Sequence, residues 1–93
     1  SHLSLSTYKN IVYVVKKGKI LLLSTKNGNL IGKKTISNKN IIDVAFYKKY
    51  ILFIDTNNKL YKYDANNSNI STIATFTENV LKIKLYKGKI VVS

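Results

Sequence analysis

The apolar pattern of this chain comes back every 39 to 40 residues, and each period divides into four short strands. The clearest copy runs from Ile41 to Thr77. Ile42, Val44 and Phe46 alternate with Asp43 and Ala45, the period of two that gives a strand one buried face. Tyr50 to Thr56 is apolar on both faces, as an interior strand of a covered sheet requires. Asn57-Asn58 follows as a tight turn, since asparagine tolerates positive φ. Lys59 to Ala65 places Tyr61, Tyr63 and Ala65 on one face and Lys62 and Asp64 on the other. Asn66 to Asn69 is a polar turn. Ile70 to Thr77 closes the unit, with Ile70, Ala74 and Phe76 on one face and the threonine and isoleucine content of a pleated, partly exposed strand.

A forward shift of 39 residues lays Leu81, Ile83 and Leu85 over Ile42, Val44 and Phe46, and Tyr86 over Tyr47. A backward shift of 39 lays Leu3 and Leu5 over Ile42 and Val44, and Tyr8 over Tyr47. A backward shift of 40 lays Ile11-Val-Tyr-Val14 over Ile51-Leu-Phe-Ile54, Lys19-Ile20 over Lys59-Leu60, and Leu30 and Ile36 over Ile70 and Phe76. One inserted turn residue accounts for the change of offset. In the first unit Lys17-Gly18 and Asn27-Gly28 are the turn signals, and Gly32 interrupts the last strand as a bulge. Asn38-Lys39-Asn40 and Glu78-Asn79 link the units. No window carries a capped helical stripe.

Four-strand periods of this length indicate propeller blades. The expected fold is all-β: antiparallel four-stranded blades forming a partial β-propeller of about two and a half blades. The 93 residues form one domain, divided into a blade at 2–38, a blade at 40–77 and a half blade at 80–93. Such an arc leaves open sheet edges at both ends. It therefore reads as a piece of a longer protein, or as a protomer that closes a ring with copies of itself. No run approaches the ~20 apolar residues of a membrane-spanning helix.

The strand-turn-strand from Lys59 to Asn69 resembles the repeats of pyrroloquinoline-quinone-type (PQQ-like) propellers, matching at Leu60, Tyr61, Asp64 and Ala65. Ile20 to Leu30 matches in its Asn27-Gly28 turn and apolar frame. The usual tryptophan of the last strand is missing, and Phe76 and Ile36 stand near its place. WD-repeat propellers are the neighbouring resemblance, without a Trp-Asp or Gly-His pair. The resemblance implies the fold. It also covers both quinoprotein dehydrogenases and non-enzymatic scaffolds.

The chain carries 16 Lys+Arg against 4 Asp+Glu, a formal charge of +12. Every basic residue is lysine, and asparagine and isoleucine are abundant while tryptophan, proline and methionine are absent. This is how an AT-rich genome writes a solvated surface, and lysine also protects sheet edges. Without arginine, the preferred bidentate reader of phosphate and guanine, sequence-specific nucleic-acid recognition is not expected.

Catalytic, cofactor-binding and metal-binding residues are not expected: none can be assigned. His2 is the only histidine, at the extreme N-terminus without partners, and there is no cysteine. Asp64 precedes a turn whose N–H it would accept. Asp43 and Asp55 fit lysine pairs. Gly18, Gly28, Gly32 and Gly88 read as turn or bulge residues. Tyr8, Tyr13, Tyr47, Tyr50, Tyr61, Tyr63 and Tyr86 interleave with lysines, as a platform for single-stranded nucleic acid or sugar would, but inter-sheet packing is the commoner use of strand aromatics. Lys62, Lys82 and Lys84 read as solvated faces. The expected function is a non-enzymatic protein-interaction or scaffold module. Its partner would be a protein, the remainder of a longer chain, or copies of itself. The alternatives are a self-assembling sugar-binding propeller protomer, a quinoprotein-type enzyme-associated domain and a lysine-driven nucleic-acid binder.

Overall fold

A computed structural model describes residues 3–16, 18–36 and 40–93. His2, the Lys17 half of the Lys17-Gly18 turn and the Asn38-Lys39 link lie outside the described residues. Ten strands and no helix occur among those described: β1 (Leu3–Tyr8), β2 (Ile11–Lys16), β3 (Lys19–Ser24), β4 (Leu30–Thr35), β5 (Ile41–Tyr47), β6 (Tyr50–Asp55), β7 (Lys59–Asp64), β8 (Asn69–Thr75), β9 (Ile83–Tyr86) and β10 (Lys89–Val92). They make two four-stranded antiparallel meanders, β1-β2-β3-β4 and β5-β6-β7-β8, and a two-stranded sheet, β10-β9.

The three sheets stack in chain order, as two apolar clusters show. Tyr13, Val15, Ile20 and Ile36 of the first sheet and its margin pack against Ile51, Phe53 and Tyr63 of the second. Ile54 and Leu60 of the second sheet pack against Val80 and Ile83 at the third. Strand β6 sits at the centre because its alternate residues face both neighbours: Ile51 and Phe53 pack in the first cluster, Ile54 packs in the second, and Leu52 lines a cleft with Leu85 and Ile90 of the third sheet. These four β6 residues are at most 3% exposed. Each such side chain contributes about 1.5–3 kcal/mol of burial free energy. The double-sided apolar strand expected over Tyr50 to Thr56 is this one.

Pairing fixes where the sheets correspond. Tyr8 faces Ile11 across a two-residue turn, and Tyr47 faces Tyr50 across another, so both strands of these hairpins are offset by 39. Val15 faces Ile20, but Ile54 faces Leu60. The inserted residue therefore lies in the β6–β7 turn. Ile11 to Val14 correspond to Tyr50 to Phe53, not to Ile51 to Ile54 as the 40-residue shift implied. From β3 onward the offset of 40 stands.

Two further expectations are corrected by bulges. Pairing slips between Ile41 and Asp43, which turns Ile42 to the third-sheet side while Val44 and Phe46 face the first sheet. It slips again between Leu60 and Tyr61, stepping over Ile73, so Ile70 joins the first cluster while Ala74 and Phe76 join the second. An extra residue in a period-2 strand reverses every face beyond it. In β4 the bulge expected at Gly32 falls one residue earlier, on Ile31.

Candidate functional site

Three features of the stack are open to chemistry: its first face, its turn rim and its acids. On the first sheet, Leu5 pairs with Val14, Val14 with Leu21, Val12 with Leu23 and Leu23 with Leu30. Directly paired residues share a face, so these six apolar side chains form one surface pointing away from the second sheet. Leu5 and Leu30, on the outer strands, are 62% and 59% exposed, Val12, Leu21 and Leu23 are half-buried, and Val14 in the middle is 8% exposed. Their counterparts on the second sheet are Val44, Ile51, Phe53, Tyr61, Tyr63 and Ile70, every one of them in or against the cluster shared with the first sheet. The first sheet thus presents an inter-sheet surface with no sheet on it among the described residues. At the far end Tyr86 and Val91 of the third sheet, and Leu81 just before it, are exposed in the same way.

The turn rim repeats one motif. Tyr8-Lys9, Tyr47-Lys48 and Tyr86-Lys87 each enter a β-hairpin turn, with the lysine at φ 49°, 51° and 51°. This left-handed conformation favours Gly or Asn over lysine. It carries each ammonium back over the preceding ring, 5.4, 5.3 and 5.4 Å from the centroid. In the first copy the Tyr8 hydroxyl and the Lys9 ammonium both donate to Asn66 Oδ1 of the second sheet, at 3.1 and 3.2 Å. In the second copy no acceptor meets the Tyr47 hydroxyl or Lys48 among the described residues. The sequence showed the interleaving of tyrosine and lysine. It could not show that the motif is a clamp between sheets, because its acceptor lies 58 residues away from Tyr8.

Beside this clamp, a cavity of about 190 Å³ opens between the second and third sheets, lined by Tyr47, Tyr50, Leu52, Lys62, Leu85 and Ile90. Lys62, expected as a simple solvated face, lies half-buried there with its ammonium 5.0 Å from the Tyr50 ring. Its counterpart on the first sheet is Leu22, packed in the first cluster. Tyr13 and Tyr63 meet across the first cluster at 6.2 Å, the packing role expected of strand aromatics. Burial raises the Tyr13 hydroxyl's pKa, with smaller contributions from Tyr63 and Tyr8.

The acids hold backbone. Asp55, 1% exposed, accepts from the amides of Asn57 (2.8 Å) and Lys59 (3.2 Å) and from the Tyr61 hydroxyl (2.8 Å). It thereby shapes the longer β6–β7 turn. Asp43, expected to pair with a lysine, instead accepts the Ile83 amide at 2.8 Å and ties the second sheet to the third. Asp64 accepts the Asn66 amide at 2.9 Å, as expected of a carboxylate before a turn, and pairs with Lys49 at 3.4 Å. Partial burial pushes its carboxyl up, but the Asn66 amide and the Lys49 charge outweigh this and leave its pKa lowered. Lys49 is raised by its hydrogen bonds to Tyr50 and Asp64. Among the described residues, no three His, Cys, Asp or Glu side chains gather as a metal site would require, and no helix is long and apolar enough to cross a membrane.

No family model and no curated protein matches this chain in sequence. Solved structures do match in fold. The computationally designed protein Ika8 superposes with a TM-score of 0.76 at 16% identity over 99% of this chain and 30% of that one. The N-terminal domain of Nup159 does so with a TM-score of 0.70 at 18% identity over 99% of this chain and 28% of that one. Both are propeller-like folds, and the fold here is that of partial propeller blades. The chain spans less than a third of either structure.

Proposed function

We propose that this chain is a non-enzymatic interaction or scaffold module of a β-propeller protein, completed by further blades that cover its open sheet faces. One observation carries the reading. The six apolar residues of the uncovered first-sheet face occupy the positions whose counterparts on the second sheet are packed under a neighbouring sheet. A surface of that pattern gains most from a sheet of the same kind. The fates of the acids support the non-enzymatic part, since Asp43, Asp55 and Asp64 are committed to amides and turns. The PQQ-like resemblance at Leu60, Tyr61, Asp64 and Ala65 fits this role: Leu60 and Tyr61 pack between sheets, and Asp64 caps the turn that follows.

The test is the mass in solution, read beside binding of an apolar dye. A monomer of 10.5 kDa that binds the dye, and loses it with Leu21→Ser and Leu23→Ser, fits a module awaiting blades. A closed ring of copies would favour the self-assembling alternative. A monomer that binds no dye would remove the reading.

A further inference from the structure

The two rims of the stack differ in charge, and the difference lies in turns within the body of the chain. Because the sheets are meanders, the β1–β2, β3–β4, β5–β6, β7–β8 and β9–β10 turns all fall on the turn rim. Lys9, Lys26, Lys48 and Lys87 stand exposed in these turns. The acid at this rim is Asp64, and it is already paired with Lys49 at 3.4 Å. The other acids lie towards the opposite rim: Asp43 early in β5, Asp55 at the end of β6 and Glu78 in the link to β9. The turns also adjoin from sheet to sheet. Tyr8 and Lys9 donate to Asn66 of the second sheet, and Gly88 of the third lies beside the Tyr47 hydroxyl. The Asn66 amide is neutral and takes one of the three Lys9 donors, so this contact leaves the charge in place.

Composition does not account for three of these lysines. An AT-rich composition favours asparagine as much as lysine, and asparagine is the less strained residue at positive φ. The chain uses asparagine in this way at Asn10 and Asn58. Yet lysine holds the left-handed position after tyrosine in three successive sheets, at Lys9, Lys48 and Lys87. Each ammonium is held over the preceding ring, a contact that fixes the cation at the rim.

We infer that the turn rim is a docking surface for an acidic, extended segment of a protein partner, whose carboxylates meet Lys9, Lys26, Lys48 and Lys87. This rests on the interaction-module reading above, and names the surface and the partner's chemistry. Carboxylates complement the charge of the rim and accept charge-assisted hydrogen bonds from its ammonium groups. Nucleic acid fits less well, because one face of each of the Tyr8, Tyr47 and Tyr86 rings is taken by its own lysine rather than open to a base. A second copy of this chain also fits less well: of its 4 acids, only Glu78 is exposed.

The test titrates the chain with an oligoglutamate peptide and, separately, with oligothymidylate of equal charge, in ~0.1 M salt. Six-residue strands such as β2 and β3 separate the rims by about 20 Å, twice the screening length of about 10 Å at that ionic strength. The triple variant Lys26→Asn, Lys48→Asn, Lys87→Asn should weaken oligoglutamate binding about tenfold. The triple variant Lys19→Gln, Lys59→Gln, Lys82→Gln removes the same charge near the opposite rim and should stay within about twofold of the parent. Lys48→Asn and Lys87→Asn, singly, should leave the unfolding temperature unchanged or raise it by a few degrees, since relief of the left-handed strain offsets the lost ring contact. Absence of oligoglutamate binding, an equal loss in the two triple variants, tighter binding of oligothymidylate, or a fall in unfolding temperature with Lys48→Asn or Lys87→Asn would overturn the inference. Any of these, with the dye-binding monomer intact, removes the acidic partner and leaves the propeller reading standing.

Discussion

The first and second sheets are built on the same pattern and differ in what covers them. Tyr13 and Val15 correspond to Leu52 and Ile54, and all four are buried, because a sheet follows each of these faces. Leu5 and Val44 also correspond, yet Leu5 is 62% exposed while Val44 packs in the first cluster. Burial here is set by position in the stack as much as by residue type. A strand carries apolar residues on both faces because the fold supplies neighbours on both sides, and each end of this arc lacks one among the described residues. The exposed Leu5, Leu30, Leu81 and Val91 follow from that single fact.

The sharpest way to break this comparison is to cut the same pattern at matched positions. Phe53 is fully buried between sheets and stacks on Tyr61 at 5.0 Å. Phe53→Ala should cost about 3–5 kcal/mol by denaturant unfolding, with tyrosine fluorescence as the readout. Its counterpart Val14 is 8% exposed within its own sheet but has no second sheet above it among the described residues, and Val14→Ala should cost about 1.5 kcal/mol, for two methylene equivalents. A cost at Val14 well above about 1.5 kcal/mol would mean that the first face is covered in solution. A larger loss at Val14 after partner binding would measure that cover directly.

The second hairpin turn of each sheet separates the two next. The β2–β3 turn has two residues and uses Gly18 at φ 75°. The β6–β7 turn is one residue longer and is organised around the Asp55 carboxylate. Asp55→Ala leaves two turn amides and the Tyr61 hydroxyl without that acceptor and should cost about 3 kcal/mol, the sum expected of several partly buried groups. Lys16→Ala, at the matching place beside the shorter turn, should stay within about 0.5 kcal/mol. Thermal unfolding of both variants tests the pair.

Gly88 extends the comparison to the third sheet. Its φ is 77°, and a Cβ there would lie 3.2 Å from the Tyr47 hydroxyl. Asn10 holds the same turn position in the first sheet at φ 64°. Gly88→Ala should therefore cost about 1–2 kcal/mol and perturb amide exchange in β9 and β10 first. Asn10→Gly should shift stability by only a few tenths of a kcal/mol, since both residues tolerate the conformation.

The repeat, the strand order and the double-sided β6 were legible because each rests on local alternation and turn residues. Faces beyond a bulge were not. Nothing in Ile-Ile-Asp at 41–43 or Thr-Ile-Ala at 72–74 announces an extra residue, and pairing with a distant strand decides where it sits. The place of the one-residue insertion escaped for the same reason: Ile51 and Tyr50 are equally good strand formers, and only the Val15–Ile20 and Ile54–Leu60 pairs distinguish the alignments. Asp43 read as a lysine partner because charge is visible in sequence, whereas the Ile83 amide it holds is 40 residues on.

The smallest contrast is electrostatic. Ser24 occupies the place in the first sheet that Asp64 has in the second. Ser24 Oγ accepts the Lys26 amide at 3.1 Å, and Asp64 Oδ1 accepts the Asn66 amide at 2.9 Å. Only the second is ionisable. The folded-state pKa of Asp64 is lowered, so unfolding takes up a proton in the acid range. Its contribution is present in full above the unfolded carboxyl's pKa and disappears as pH falls through the lower folded value. The pair with Lys49 is solvent-facing and screened, which keeps the effect small. Thermal unfolding from neutral pH to below about pH 3 should show Asp64→Asn less stable than the parent near neutrality and the two converging in acid. Ser24→Asn should run parallel to the parent throughout. Convergence in both variants would place the acid sensitivity elsewhere in the stack. Convergence in Asp64→Asn alone would show that one turn carboxylate makes the second sheet's hairpin pH-dependent while the first sheet's hydroxyl does the same structural work without it.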